Sequence, residues 1–494
     1  MTPAGIAVSI PLFVATGGVA VYAVAKFLPF SLRRWTGAFT ALWLLAAFCL
    51  LLSMLTGASP PGAIPFIGLT GGLLITGVGA VAALASQGSL DPKGPVHLYY
   101  PLFLLALAGA VAIGFAGDLF TIFVAVELSA VPVYALCAYR HKEDPAALPS
   151  AMKYLMQGVA GTLTALLGVA ILYTEGHTLT LSELPGALAG GNQVLIIFAA
   201  VLILIGYGVK LAIFPLHTWL PDAYSRAPAG VTAIMTGATK IGVLIALFLS
   251  LSALPGSATV PKTVGIVVTF FAVVTMTAGN LLALNQRDLR RVLAYSSVAQ
   301  MGYILLGFGI GLLYSLPLGF AAGLFYAVAY GVMKSGAFIA ADAFTERAGS
   351  SETARMKGLG ARNPVLGIAF TVIILGLIGQ PFTCGFLGKV LVIQSGIATF
   401  MWGGIALGLI LELNTGISLG YYVPILSTLL FAGSEPGTTD QPGQPAATRP
   451  GIPLSVLSAV VVLAIITLYL GIFPEPFYGW ITHASGQIFP WGVP

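Results

Sequence analysis

The sequence predicts an all-α polytopic membrane protein, and three observations support this fold class. Of its 494 residues, 58% are hydrophobic and only 7% are charged, whereas soluble domains carry about 25% charged residues. The mean hydropathy is +0.98. The apolar runs are about 20 residues long, which suits a membrane-spanning helix and exceeds a β-barrel strand. A soluble globular protein and a disordered chain are therefore both excluded.

The apolar runs predict about fourteen membrane-spanning helices. Pro215 lies within the seventh predicted span and Pro381 within the twelfth. An interior proline removes a backbone hydrogen bond, so both spans are expected to be broken. The predicted ranges are 5–27, 37–56, 64–86, 98–117, 119–139, 154–173, 194–220, 229–252, 263–285, 292–313, 316–343, 364–400, 403–431 and 452–473.

The distribution of basic residues predicts the orientation, because inside loops are rich in Lys and Arg. With the N-terminus outside, fifteen of the 21 Lys and Arg residues fall in inside loops, and only Lys262 falls in an outside loop. This asymmetry predicts a multi-pass protein of the cell (inner or cytoplasmic) membrane with both termini outside. The net charge of +5 then reflects basic loops, and no nucleic-acid partner is expected.

Several ionisable side chains fall deep within predicted spans, where charge is costly and usually functional. They are Glu127, Lys210, Lys240, Lys334 and Lys389. One buried Glu–Lys pair that only holds helices together is the alternative interpretation, but it does not account for four lysines. An ammonium group without a counter-ion in an apolar environment gives up its proton easily. The set therefore predicts a proton pathway. Lys26, near the inside end of the first span, can instead reach the headgroups.

Four further polar side chains are candidate accessory groups of this pathway. They are His217, Tyr330, Glu412 and Asn414. Tyr330 precedes Lys334 by one helical turn. For the histidine and the asparagine, an ordinary interhelical hydrogen bond is an equal alternative. Asp222 is expected at the inside membrane edge, as a helix cap or as an ion-pair partner of Arg226.

The sequence indicates no cofactor or metal site. Cys49, Cys137 and Cys384 lie apart in apolar runs, without a CxxC motif or a Cys/His cluster. The chain also lacks a flavin or nucleotide-binding fingerprint. We therefore expect no cofactor, no metal and no catalytic site in this chain, and any redox chemistry must reside in a separate peripheral module.

Three segments make the sequence recognisable. They are KLAIFPLHTWLPDAYSRAP, LNQRDLRRVLAYSSVAQMGY and GQPFTCGFLGK. In this order they resemble the antiporter-like subunits of complex I, of multisubunit Na⁺/H⁺ antiporters, of membrane-bound hydrogenases and of deazaflavin-dependent dehydrogenases. The resemblance covers roughly residues 60–430 and implies two inverted five-helix repeats, spans four to eight and nine to thirteen, with broken seventh and twelfth helices.

The resemblance also implies roles for individual residues. The family's fifth-span glutamate matches Glu127, its seventh-span lysine Lys210, its eighth-span lysine Lys240, and its twelfth-span basic residue Lys389. Lysine at the last position is most similar to the N-type subunit of complex I or the D-type subunit of the antiporters. Two residues depart from the family pattern. Tyr330 stands where several members have histidine, and Glu412 is an additional acid.

The expected organisation follows from the spans and the resemblance. Residues 1–97 form a three-helix segment, 98–252 the first repeat and 263–431 the second. Residues 433–450 are expected to form a flexible inside loop, and 452–494 a C-terminal helix with an interfacial tail.

The leading functional hypothesis is a proton-translocating subunit, with Na⁺ as the alternative ion, in a redox-driven complex such as an NADH:quinone dehydrogenase or a related dehydrogenase or hydrogenase. Its partners would be the lipid bilayer, other membrane subunits and a peripheral redox module. The main rival is a subunit of a multisubunit Na⁺/H⁺ antiporter without a redox partner. A membrane scaffold without an ion path is a second rival, disfavoured by the costly charges, and a membrane-embedded enzyme is a remote third.

Overall fold

The computed structural model of the chain describes residues 3–27, 33, 35–56, 63–90, 94–255, 259–431, 451–475 and 477–488. These residues are almost entirely helical, and their β-structure is limited to two isolated bridges. The all-α fold class is therefore confirmed.

Thirteen helices in the described ranges are long and apolar enough to cross a membrane. We number the spans in chain order. The number twelve is kept for the predicted twelfth span, which is not one of these thirteen helices. The first six are α1 (Pro3–Phe27), α2 (Thr36–Leu55), α3 (Ala63–Ser89), α4 (Val96–Ile113), α5 (Leu119–Cys137) and α6 (Ala147–Gly176). The others that are unbroken are α8 (Ala229–Ser252), α9 (Thr259–Leu284), α10 (Leu289–Leu313), α11 (Pro317–Ala348), α13 (Trp402–Leu430) and α14 (Leu454–Ile472).

The seventh and twelfth spans are broken, as the prolines predict. The seventh consists of α7a (Gln193–Leu211) and a short helix α7b (Leu220–Arg226). The twelfth consists of α12a (Pro364–Ile378) and α12b (Cys384–Ile397), each too short to be among the thirteen. Both first halves end in the left-handed conformation, at Ala212 with φ 60° and at Gly379 with φ 92°. Counting α12a as part of one further crossing gives the fourteen spans predicted.

Two matching helix starts reveal the internal repeat. Asp118 caps α5 by accepting a hydrogen bond from the backbone N–H of Thr121 at 2.7 Å, and its backbone pairs with Thr180 beyond α6. Asp288 caps α10 in the same way, and its backbone pairs with Glu352 beyond α11. Since α5 and α10 are an odd number of crossings apart, they run in opposite directions. The repeats α4–α8 and α9–α13 are therefore inverted.

The helix α8 lies at the centre of the bundle. It is fully buried within the protein, and it packs against α3, α4 and α11. Residues Met235–Thr239 form a π-helical turn directly before Lys240. Such turns are rare and often occur at functional sites. At this turn Gly237 lies against the backbone of Gly331 in α11, which brings the two repeats into close contact.

The C-terminal region contains a helix that packs on the bundle. After α14, residues Phe477–Ile488 form α15, which contacts α3 and α11. Its residues Ile481 and Ala484 are buried. The predicted inside loop at 433–450 and the end of the predicted interfacial tail, residues 489–494, lie outside the described residues.

We predict that Gly237→Ala destabilises the protein. A Cβ atom at this position would lie 2.8 Å from the carbonyl oxygen of Gly331, a contact that a backbone group cannot relieve without moving α8 away from α11. The expected cost is about 1–3 kcal/mol, measured as a lower melting temperature in detergent. Gly117→Ala is the matched control, because a Cβ atom there meets no described atom within 4 Å. Equal melting temperatures for both variants would contradict the close packing of α8 on α11.

Candidate functional site

The four lysines predicted within spans are all buried inside the protein. The exposed fraction is 3% for Lys210, 2% for Lys240, 0% for Lys334 and 2% for Lys389. Lys210 and Lys240 belong to the first repeat and the other two belong to the second. Their ammonium groups are therefore held by protein groups and not by lipid headgroups.

Glu127 and Lys210 form an ion pair at the break of the seventh span. The Nζ atom of Lys210 lies 3.2 Å from Oε1 of Glu127 and donates a hydrogen bond of 2.9 Å to the Tyr134 hydroxyl. Lys210 is the penultimate residue of α7a, where the helix dipole is negative and favours a cation. Trp219 donates to the carbonyl of Val209, which satisfies one acceptor freed by the break. The glutamate side chain is 23% exposed, so the pair extends from the outer surface of α5 to the interior.

Lys240 contrasts with Lys210, because its ammonium group has no hydrogen-bonding partner among the residues that the structure describes. Both lysines line one cavity of about 10 Å³, which lies between α5, α7 and α8. The Ser129 hydroxyl also lines this cavity and likewise has no described partner. A water needs about 10–15 Å³ and two to four polar neighbours. The cavity is therefore at the lower size limit for a single water, and its polar lining includes the two lysines and hydroxyl groups.

Lys334 lies where the two repeats meet. Its Nζ atom donates to the Leu293 carbonyl at 3.0 Å, the Ser296 hydroxyl at 2.5 Å and the Tyr422 hydroxyl at 3.3 Å. The next residue, Ser335, connects α11 to α8, because its hydroxyl lies 3.4 Å from the hydroxyl of Thr236. Lys334 is therefore held beside the contact between the two repeats.

Lys389 belongs to α12b and reaches back to the end of α12a. Its Nζ atom donates to the Ile378 carbonyl at 2.8 Å and to the Thr415 hydroxyl at 3.1 Å. The break exposes this carbonyl, and the negative end of α12a stabilises the ammonium group. The adjacent Leu377 carbonyl accepts from Gln300. In both broken spans, the negative C-terminal end of the first half-helix favours a buried lysine ammonium.

Each lysine also lies over the ring of a tyrosine, within the range of a cation–π interaction. The distances from Nζ to the ring centre are 5.4 Å for Lys210 over Tyr134, 5.5 Å for Lys240 over Tyr224, 5.9 Å for Lys334 over Tyr422, and 4.8 Å for Lys389 over Tyr303. Sequence analysis missed these rings. Only Tyr134 could have been identified from the sequence, because it lies on α5 two helical turns after Glu127.

The four accessory candidates have different surroundings. His217 lies in the break of the seventh span, with its ring stacked on Phe214 and facing Tyr295. Tyr330 is buried on α11, one turn from Lys334. Asn414 is engaged in interhelical hydrogen bonds, since it accepts from Asn280 and donates to Thr277. Glu412, on the same helix as Asn414, is exposed.

The expected pairing of Asp222 with Arg226 is wrong. Asp222 instead forms ion pairs with Lys153 at 2.8 Å and with Arg291 at 3.1 Å, whereas Arg226 pairs with Asp144 at 2.9 Å. Packing of α7b against α6 and α10 supplies these partners, and sequence proximity could not reveal them.

A buried ion cluster near Lys334 was not found by sequence analysis. Asp342 is 2% exposed and forms an ion pair with Arg290 at the start of α10. Arg140, just beyond α5, lies 3.9 Å from the same carboxylate. The signal in the sequence was an acid two turns after Lys334 in an apolar run, which is ~12 Å along the helix. This cluster ties the two repeats together at the C-terminal end of α11.

The arrangement is suited to relaying protons. It contains an ion pair, a small cavity and three further buried ammonium groups. Hydroxyls and backbone carbonyls bind those of Lys334 and Lys389, and the Lys240 ammonium lines the cavity. Within the described residues no group of His, Cys, Asp and Glu side chains could hold a metal ion.

Comparison with known proteins gives consistent results. Residues 116–415 match the sequence signature of the family described as "NADH:quinone oxidoreductase/Mrp antiporter, TM". The chain is 32% identical to F(420)H(2) dehydrogenase subunit N of Methanosarcina mazei over 431 residues, which cover 85% of this chain and 83% of the relative. It is also 32% identical to NADH-quinone oxidoreductase subunit N of Desulforudis audaxviator, over 89% of this chain and 87% of the relative.

The fold is likewise similar to solved structures. A subunit in the structure of the Mrp complex from Dietzia sp. superimposes with a TM-score of 0.82 at 21% identity, over 99% of this chain and 98% of that chain. At this identity the likeness concerns the fold alone. It extends the agreement from the matched signature to nearly the whole length of the chain.

We predict that Asp342→Asn destabilises the protein strongly. Removing one partner of a buried ion pair costs roughly 3–5 kcal/mol, because the other charge is left without compensation. Adding Arg290→Gln should recover much of the loss, and both effects can be measured as melting temperatures in detergent. The control is Glu352→Gln, which removes an exposed ion pair with Arg355 and should cost at most about 1 kcal/mol. A similar effect of Asp342→Asn and Glu352→Gln would contradict the importance of the buried cluster.

Proposed function

Because the chain belongs to the family of membrane subunits of NADH:quinone oxidoreductases and Mrp antiporters, we propose that it translocates protons across the cell membrane as one membrane subunit of a redox-driven complex. The observation that carries this proposal is the Glu127–Lys210 ion pair, which lies at a helix break and shares a cavity with Lys240.

The ion pair acts as a switch in this proposal. While Lys210 is paired with Glu127 at 3.2 Å, its charge is compensated and Lys240 can hold a proton. When Lys210 leaves the glutamate and turns toward the cavity, two ammonium groups face each other in a medium of low dielectric constant. Like charges in such a medium disfavour protonation, so Lys240 releases its proton. The break after Leu211 gives the lysine backbone freedom that an unbroken helix would not allow.

The released proton moves along the second repeat. Lys334 is the next acceptor, because it lies beside the contact between α8 and α11, where Ser335 approaches Thr236. Hydroxyl groups of Ser296 and Tyr422 contact Lys334 and can pass a proton onward. Lys389 is the final lysine, held between the Ile378 carbonyl and Thr415. The exit is to the outside, and Na⁺ is the alternative ion.

The energy for translocation comes from a separate partner. Two relatives are named as subunits of an F(420)H(2) dehydrogenase and of an NADH-quinone oxidoreductase, and this supports a redox-driven complex with other membrane subunits and a peripheral module. The alternative is a Mrp-type Na⁺/H⁺ antiporter without a redox partner. The family description names Mrp antiporters, and the similar Dietzia structure is that of an Mrp complex. Identification of the polypeptides that co-purify in mild detergent separates the two.

The orientation belongs to the same proposal. Both termini face outside, and the loops that carry Arg287, Arg355 and Lys357 face inside. The excess of basic residues on one side supports this orientation. The Asp222 and Asp342 clusters then lie toward the inside.

We predict that Glu127→Gln leaves the complex assembled and reduces proton pumping, because the switch loses its anionic partner. Glu127→Gln combined with Lys210→Met should not restore pumping, since no titratable group remains at the break. Lys240→Met should also reduce pumping, as the acceptor is removed. Each variant is measured as proton uptake or release in proteoliposomes, with the amount of complex checked on native gels.

The matched control is Lys26→Met, the same substitution at an exposed lysine near the end of α1, and it should leave pumping unchanged. Normal pumping by the double variant would show that the Glu127–Lys210 pair is structural. Normal pumping by Lys240→Met would refute the lysine relay itself.

We also predict that Cys introduced at Lys142 or Arg355 reacts with a membrane-impermeant thiol reagent only from the inside. Cys at Lys262 should react only from the outside. All three positions are exposed, whereas Arg290 is buried and unsuitable as a probe. Accessibility is measured in right-side-out and inside-out vesicles of a variant without Cys49. Labelling of Arg355→Cys from the outside would contradict the proposed topology.

A further inference from the structure

Glu412 is a carboxylate on the outer surface of a membrane-spanning helix. It lies in the middle of α13 and is exposed. An ionised side chain that faces lipid at this depth costs about 3 kcal/mol or more, and such groups normally face a protein interior. The surroundings of Glu412 in this chain do not supply that interior.

The face of α13 around Glu412 is otherwise apolar, and the residues that the structure describes leave most of it uncovered. Only 28% of this span is buried, the smallest share among the thirteen spans in the described ranges. Leu409 and Leu413 are 62% and 71% exposed. Gly416, one turn after Glu412, has open space where a Cβ atom would lie, so another helix can approach the backbone closely there.

We propose that this face of α13 binds a transmembrane helix of a neighbouring subunit, and that this helix carries a Lys or Arg side chain which pairs with Glu412. Charge complementarity selects this occupant. A lipid tail offers the exposed carboxylate no hydrogen-bond donor, whereas a cationic side chain on a packed helix lowers the cost and satisfies the carboxylate oxygens. The apolar residues around Glu412 would then form the rim of the contact.

The contact would also reach the proton pathway of this chain. Thr415, one turn from Glu412 on α13, accepts a hydrogen bond from Lys389 at 3.1 Å, and the Glu412 carboxylate attracts the Lys389 ammonium. A cation from the neighbour would compete with Lys389 for this carboxylate. Glu127 gives the first repeat a similar arrangement, since it is partly exposed on α5 and holds Lys210, although α5 and α13 do not correspond in the repeat. Each repeat would thus have a surface carboxylate in front of a buried lysine at a broken helix.

This inference rests on the chain being a subunit of a membrane complex, and not on the direction or identity of the transported ion. The test uses the complete complex in native membranes. A photo-reactive amino acid is placed at Leu413, and separately at Leu42 on α2, which is 65% exposed on an apolar surface. The Leu413 probe should form one discrete adduct with a membrane subunit of the complex, and the Leu42 probe should not form this adduct.

A second measurement tests the charge. Glu412→Lys places like charges in the contact and should lower retention of the cross-linked subunit during detergent purification by at least about tenfold. Glu143→Lys, with the same charge change at an exposed inside-loop position, is the control and should retain the subunit. Replacing the partner's basic residue with Glu should restore retention of the Glu412→Lys variant.

Three outcomes would overturn the inference: lipid adducts alone at Leu413, an adduct with a soluble protein, or normal retention in Glu412→Lys and Glu412→Leu. If Glu412 faced lipid, Glu412→Leu would raise the melting temperature without any loss of the neighbour. Assembly is measured independently of pumping, so a chain that does not transport protons can still pass this test.

Discussion

The cost of holding charge in the hydrocarbon core is the constraint on which this structure depends. A lysine at the centre of a membrane-spanning helix is unfavourable by about 3 kcal/mol or more, and this chain holds four of them at 3% exposure or less. Three kinds of partner compensate these charges. Lys210 has a carboxylate, Lys334 and Lys389 have hydroxyls and carbonyls, and Lys240 has a tyrosine ring and a shared cavity.

The broken helices follow from this constraint. An unbroken helix satisfies its own carbonyls and offers a buried cation little, whereas a helix end presents free carbonyls and a negative dipole. The protein uses such an end twice, at Leu211 and at Ile378, and places a lysine at each. The inverted repeat explains why a lysine at the end of a half-helix occurs twice. The repeats differ in their carboxylates. The first repeat pairs its lysine with Glu127 of α5, whereas the second carries Glu412 on α13, which corresponds to α8, and this residue is exposed.

The two repeats are coupled through close contacts at the centre. The π-helical turn before Lys240 allows Gly237 to contact the backbone of Gly331, so Lys240 and Lys334 belong to two helices in direct contact. Toward the end of α11, Asp342 and Arg290 fasten α10 to α11. A change at the Glu127–Lys210 pair therefore has a short physical route to the second repeat through packed elements.

The sequence by itself determined the class of the protein, the number and approximate position of its spans, the two breaks, and the charges within the membrane. These features follow from composition, from the length of apolar runs and from the position of single residues such as Pro215 and Pro381, which act locally. The tertiary structure decided which groups meet. The tyrosines under the lysines, the pairing of Asp222 with Lys153 and Arg291, the Asp342 cluster and the exposure of Glu412 all join or separate residues that lie far apart in the chain. Helix periodicity does not fix the rotation of one helix against another, because nearly every face of these helices is apolar, and only packing settles which face is buried.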